Sequence, residues 1–198
     1  MGQAVVLLSA FHLLLFRRFY FQNPYVYATS EALEQGFPSW VLLGRCLRRH
    51  GVVADQYYYP DYRALPFLSA FYPPHRVTAW LGTFLSTDQA WVLYVGTMVA
   101  HFWLSSVSVY MLAIAMGAAP LSAGFASVTL STLGYAMKQN SSIVYTAAWV
   151  PVAILTAVSH NTALFGISLG MMLLAGYWPI ALYTIPLACC CWLWPSAS

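Results

Sequence analysis

Charge is what this sequence lacks. Lys, Arg, Asp and Glu make up 7% of its 198 residues, where a water-soluble domain spends about a quarter on them. The shortage is uneven. Between Gln89 and Ser198 the one formally charged side chain is Lys138, while seven of the eight basic residues lie between Arg17 and Arg76. With 61% hydrophobic residues, the second half reads as built for lipid, and the first half holds a polar segment beside it. Chemistry is expected where the two meet.

Other absences narrow the class. The alternating strands of about 10 residues that a membrane barrel requires are missing, so helices are the expected way to cross lipid. The four cysteines form no disulfide framework: Cys46 stands alone, and Cys189, Cys190 and Cys191 are consecutive in an apolar run. Neighbouring cysteines chelate one ion poorly and read as small apolar residues. No nucleotide-binding glycine loop, zinc spacing or Ser/His/Asp arrangement is visible, and no nucleic-acid partner is expected. Met1–Gln3 lacks the basic residues of a secretory signal, so the first apolar run reads as an uncleaved membrane helix over 4–21.

The expected fold is all-α: a polytopic helical membrane protein with about six membrane helices and an interfacial segment after the first. Residues 1–198 form a single membrane domain, with a polar interfacial segment over 22–76 and a helical bundle over 77–198. Ser30, followed by Glu31 and Glu34, reads as a helix start with acid in the first turn. Residues 39–49 are amphipathic: Trp40, Leu42, Leu43, Cys46 and Leu47 share one side, and Arg45, Arg48 and Arg49 the other. Such a helix is expected in the membrane interface, with arginines toward lipid phosphates. Tyr57, Tyr58 and Tyr59, with Pro60, Pro66, Pro73 and Pro74, make an extended aromatic stretch suited to the headgroup level.

From Val77 the chain turns apolar. Val77 to Leu85 reads as a short re-entrant or interfacial helix, and Asp88 as the cap of the next. Spans are expected at Ala90–Met116, Leu121–Met137, Ile143–Ser159, Thr162–Ala175 and Ile180–Trp194, parted by breakers or polar clusters at Gly117–Pro120, Lys138–Ser142, Ser159–Asn161 and Gly176–Pro179. Counting crossings puts the long polar segment, Lys138–Ser142 and Gly176–Pro179 on one side, so almost every polar group converges on one face.

Four segments resemble the bacterial YfhO-like membrane proteins, of the wider GT-C class of polytopic glycosyltransferases. An acidic residue seven positions before a proline is matched by Glu31-Ala-Leu-Glu-Gln-Gly-Phe-Pro38. A tyrosine–proline step before the second membrane segment is similar to Ser69-Ala-Phe-Tyr-Pro73, and a Trp-x-Pro step to Ala148-Trp149-Val150-Pro151. A glycine–histidine–proline turn resembles Gly176-Tyr177-Trp178-Pro179. Two positions depart: Glu stands where Asp is expected, and Tyr177-Trp178 replaces the turn histidine. The class has eight or more spans, so the chain is expected to correspond to the N-terminal part of such a protein or a shortened relative. Further membrane helices would then come from a missing C-terminal part.

The resemblance implies sugar transfer from a polyprenyl-phosphate donor at the outer face of the bacterial cytoplasmic (inner) membrane. An acceptor hydroxyl then needs a carboxylate, alone or through a divalent metal ion, and the departing phosphate needs cationic donors. Glu31 and Glu34 are the catalytic candidates; the plain reading of Glu31 is acid favouring its own helix dipole. Arg63, His75, Arg76, Lys138 and Asp61 are the substrate-binding candidates. Asp55 and Asp61 flank the tyrosine run as a second carboxylate or as solvated loop acids. Lys138 either serves the site or snorkels. His101 lies mid-span and reads as bonded to a neighbouring helix before it reads as a ligand; His12 and His160 carry no argument.

Two arguments give opposite orientations. The positive-inside rule places the basic face in the cytoplasm, whereas the resemblance places it outside. The alternative function is a non-catalytic lipid-interacting subunit or transporter fragment, whose arginines bind anionic headgroups.

Overall fold

A computed structural model describes residues 2–18, 22–23, 25, 33, 36–51, 71–136 and 141–193. Among them the backbone forms eight helices and no strand, as an all-α chain should. The helices are α1 (Gly2–Leu15), α2 (Phe37–His50), α3 (Pro73–Gly82), α4 (Thr87–Ala115), α5 (Pro120–Ala136), α6 (Ser141–Val158), α7 (Thr162–Ala175) and α8 (Trp178–Leu193).

Local chemistry sets their ends. Tyr72 is extended, as a residue before proline must be, and Pro73 and Pro74 open α3, where a missing N–H costs nothing. The helix expected from Val77 therefore begins four residues earlier. Ser86 caps α4 through a capping box with Gln89. Asp88, expected as the cap, lies in the first turn and accepts a hydrogen bond from the Tyr25 hydroxyl. Asn161 caps α7, and Gly176 ends it at φ 93°, a left-handed angle that suits glycine. The first helix, expected over 4–21, ends at Leu15 with a turn at Phe16; Phe19, Tyr20 and Phe21 lie outside the described residues.

α4 has 29 residues, about 43 Å at helical rise. Among the described helices it alone is long and apolar enough to cross a membrane by length and composition. Helices α1, α5, α6, α7 and α8 have 14, 17, 18, 14 and 16 residues, about 21–27 Å each. By length and composition together one helix stands out clearly, and the other five apolar helices are shorter.

α4 ties two layers together. Beyond His101, its C-terminal half packs with α1, α5 and α6: the Trp103 indole donates to Ser9 Oγ at 2.9 Å, and Ser127 Oγ donates to the Ser106 carbonyl at 2.7 Å. α7 folds back on α6, where Thr156 and Ser168 hydroxyls meet at 3.3 Å, and α8 returns with the Trp192 ring stacked on Phe165. Small buried residues (Ala123, Ala153, Ala157 and Ala188) let these helices approach closely.

The N-terminal half of α4 packs instead with α2 and α3. Over the stretch read as amphipathic, α2 buries Trp40, Leu43, Cys46 and Leu47 and exposes Arg45, Arg48 and Arg49. Its apolar side packs against protein: Phe37 stacks on Trp40, and both rings meet Tyr94 at an angle. The level of His101, where the layers join, is the seam.

Candidate functional site

At the seam stands a buried group of rings. Tyr72 enters from the start of α3, His75 from its first turn, His101 from the middle of α4, and Tyr145 and Trp149 from α6. Tyr72, Tyr145, His101 and His75 are 0%, 1%, 6% and 8% exposed; Trp149 is half-buried. The Tyr145 ring is the hub, with centroids 4.5 Å from His101, 5.5 Å from Tyr72 and 5.6 Å from His75.

Hydrogen bonds run through the group in one direction. The Trp149 indole N–H donates to the Tyr72 hydroxyl oxygen at 2.7 Å. At its other end, His101 Nδ1 lies 2.6 Å from the Thr97 carbonyl, which has no hydrogen to give, so Nδ1–H is the donor. In the neutral ring Nε2 then accepts, and Tyr72 O–H supplies the proton it accepts. The chain is thus Trp149 to Tyr72 to His101 to Thr97. Burial raises the Tyr72 phenol well above its ordinary pKa, opposed in part by the Trp149 hydrogen bond.

Two polar atoms in the group are left over. His75 Nδ1 and the Tyr145 hydroxyl are buried and make no hydrogen bond. Burial, with a smaller contribution from neighbouring His101, pushes the His75 imidazole down to about 4. At neutral pH its ring is neutral, with one donor and one acceptor nitrogen. Arg76, next to it, diverges from the group: its guanidinium lies over the Phe71 ring at 5.8 Å. Glu31, Glu34, Asp61, Arg63 and Lys138 lie outside the described residues, as do Asp55 and the tyrosine run.

The described charges sit at the seam or in the layer of α2 and α3. Arg17 and Arg18 follow Phe16, whose ring stacks on Phe102 at 6.0 Å. Arg48 donates to the Thr83 carbonyl at 3.2 Å and covers the Phe84 ring at 4.8 Å. Among the described residues, the opposite end, with the turns Gly117–Pro120 and Ser159–Asn161, carries no Lys, Arg, Asp or Glu side chain.

A metal does not suit this group. No cluster of three or more His, Cys, Asp or Glu side chains forms among the described residues, and both His101 nitrogens are already engaged.

Sequence reasoning singled out Tyr72 and Trp149 as parts of proline steps, and His101 as a mid-span histidine. That the first two bond each other, and that the Tyr72 ring packs against His101, was not foreseen. Tyr145 gave no signal, being one aromatic in an apolar run. Gly176-Tyr177-Trp178-Pro179 also reaches the seam, where Tyr177 N–H donates to Thr146 Oγ1 at 3.1 Å. His12 was passed over; it is buried one turn from Phe16 with neither ring nitrogen hydrogen-bonded.

No protein-family model, no curated protein and no solved structure matches this chain.

Proposed function

We propose that the chain is a polytopic membrane protein of the bacterial cytoplasmic membrane that acts, in the manner of GT-C glycosyltransferases, on a polyprenyl-phosphate sugar donor at the outer face. One observation carries the membrane part: described charges are confined to the seam and the layer above it, while helices below it expose large apolar side chains. Leu121 is 75% exposed, Phe125 67% and Leu187 53%. Only 33% of the most apolar stretch of α4 is buried, unlike the core helix of a soluble protein. Water would penalise so much apolar surface; lipid does not.

The glycosyltransferase part rests on the four sequence segments. Tyr72-Pro73, Trp149-x-Pro151 and Gly176–Pro179 meet at one level, which supports reading them as parts of one site. In this reading the lipid tail stays beside the short helices. Glu31 and Glu34 serve the acceptor hydroxyl, and Arg63, His75, Arg76, Lys138 and Asp61 bind the substrate, the cations among them serving the phosphate. Should a divalent ion take part, Glu31, Glu34 and Asp61 are the carboxylates to hold it.

Two experiments test this. A membrane-impermeant thiol reagent applied to intact cells should label Asp55→Cys in a background with all four cysteines replaced; labelling only in inverted vesicles overturns the outer-face assignment. Purified Glu31→Gln should keep its fold and membrane insertion and lose sugar transfer; unchanged turnover removes Glu31 from the mechanism.

The exposed arginines of α2 favour one alternative, a lipid-interacting subunit on the cytoplasmic face. In that case loss of Arg45, Arg48 and Arg49 should weaken binding to anionic vesicles in graded, salt-sensitive steps, and no single acid should matter.

A further inference from the structure

α3 is apolar on two sides. Its inner side, with His75, Ala79 and Gly82, is buried, and a Cβ on Gly82 would strike the Trp40 ring of α2. Its outer side carries Val77, Trp80 and Leu81, followed in the next turn by Phe84 and Leu85, each between 41% and 57% exposed. Val77 is three and four residues from Trp80 and Leu81, so the three are neighbours on the helix surface, and Trp80 meets Phe84 edge to face at 5.0 Å. These side chains form one patch, and a patch of this kind marks a contact with lipid or protein. It lies in the layer that also carries the described arginines, not among the apolar helices below the seam.

Cations border the patch. Arg48 reaches across from α2, its guanidinium 4.8 Å over the Phe84 ring and donating to the Thr83 carbonyl. At the start of α3, Arg76 lies over the exposed Phe71 ring at 5.8 Å. Each guanidinium is held at the rim of apolar surface, the place that a snorkelling arginine takes between acyl chains and phosphates. Against the three exposed arginines of α2 the described residues offer one acid, Asp88, and it accepts a hydrogen bond from Tyr25. The rim therefore carries net positive charge.

This combination selects the occupant. Val77, Leu81 and Phe84 call for hydrocarbon, tryptophan favours the headgroup level, and the guanidiniums call for an anion beside that hydrocarbon. An anionic phospholipid supplies all three in one molecule. We infer that the outer side of α3 lies in the headgroup layer of the bilayer and binds anionic phospholipid, with Val77, Trp80, Leu81 and Phe84 against acyl chains and Arg48 on a phosphate. The inference deepens the membrane part of the reading under Proposed function and rests on that part. It does not rest on sugar transfer, and it holds for either face of the membrane.

The test uses the full chain reconstituted in bilayers, with all four cysteines replaced and a fluorophore attached at Val77→Cys. Brominated phosphatidylcholine and brominated phosphatidylglycerol, compared as quenchers, report which lipid lies beside the probe, and iodide reports water. Both lipids should quench and iodide should not. One arginine near an anionic surface is worth about fivefold in affinity. Phosphatidylglycerol should therefore be preferred beside the probe by up to that factor, and Arg48→Gln should bring the two lipids near parity. Arg48 is exposed, so Arg48→Gln should melt with the parent chain, which separates a lost contact from a misfolded one.

Quenching by iodide in place of lipid overturns the inference. So does quenching by none of the three, the mark of a protein partner covering this side of α3. Equal local affinity for the two lipids, or a preference that Arg48→Gln leaves unchanged, overturns the anionic assignment. A second probe at Phe125→Cys, on the exposed side of α5, separates these results from failure of the membrane reading. Lipid quenching at Phe125→Cys alone removes the α3 surface and keeps that reading; lipid quenching at neither position removes both.

Discussion

Replacing Gly44 by alanine tests how the layer of α2 and α3 is held. A Cβ at position 44 would stand 2.2 Å from the Ala79 carbonyl oxygen and 2.8 Å from its carbon. Even a close carbon–oxygen contact needs about 3.3 Å, so α2 and α3 must separate by about 1 Å. The obstacle is backbone, and no rotamer change relieves it. Overpacking costs about 1–3 kcal/mol, and a backbone clash belongs at the top of that range. Against it stands the helix preference of alanine over glycine, roughly 1 kcal/mol. The net loss is about 2 kcal/mol, or about 4–8 °C in melting temperature for a chain of this size. Gly82→Ala meets the Trp40 ring at 2.3 Å; a ring can tilt, so its loss should be smaller. Gly96, Gly124, Gly166 and Gly170 have nothing within 4 Å of an added Cβ, so alanine there should be neutral or stabilising. Thermal melting in detergent, followed by far-UV circular dichroism, ranks the series. If Gly44→Ala melts with Gly96→Ala, the close approach of α2 to α3 is not what holds the layer.

Two further outcomes follow from the seam. Tyr72→Phe removes the hydroxyl between the Trp149 indole and His101, stranding a half-buried donor and a buried acceptor. At about 1–3 kcal/mol each, it should destabilise by several times more than Tyr145→Phe, and equal melting of the two would refute the directed chain of bonds. His75, with a folded value of about 4 against about 6.5 unfolded, binds its proton more readily when unfolded. Its contribution is therefore present above about pH 6.5, is lost as pH falls toward 4, and amounts to at most about 3 kcal/mol. Melting curves across that range should flatten in His75→Phe, and an unaltered pH dependence would mean that the imidazole stays in contact with water.

The helices of this chain were largely legible in its sequence because their signals are local. Apolar runs with few charges, Asn161 before one helix and Gly176 after it each act within a turn or two of backbone, whereas Pro73 and Pro74, read as extended chain, in fact open a helix. The amphipathic pattern of residues 39–49 likewise announced which side of α2 is apolar. It could not say what that side meets, because a pattern of period 3.6 reads the same against lipid as against Trp91 and Tyr94. The capping role went to Ser86 and Gln89 rather than Asp88, since the capping box satisfies two backbone groups at once.

Composition by itself determined that the chain is helical, apolar and polarised, with its cations at one end, since hydrogen bonding and charge solvation leave few other solutions. Only the tertiary structure decided that residues 72, 75, 101, 145 and 149, drawn from three helices, become one group of rings. It also decided that His75 and Tyr145 remain there without partners. Separation in sequence carries no record of distance in space, and whether a buried polar atom is satisfied depends on neighbours that folding alone brings to it.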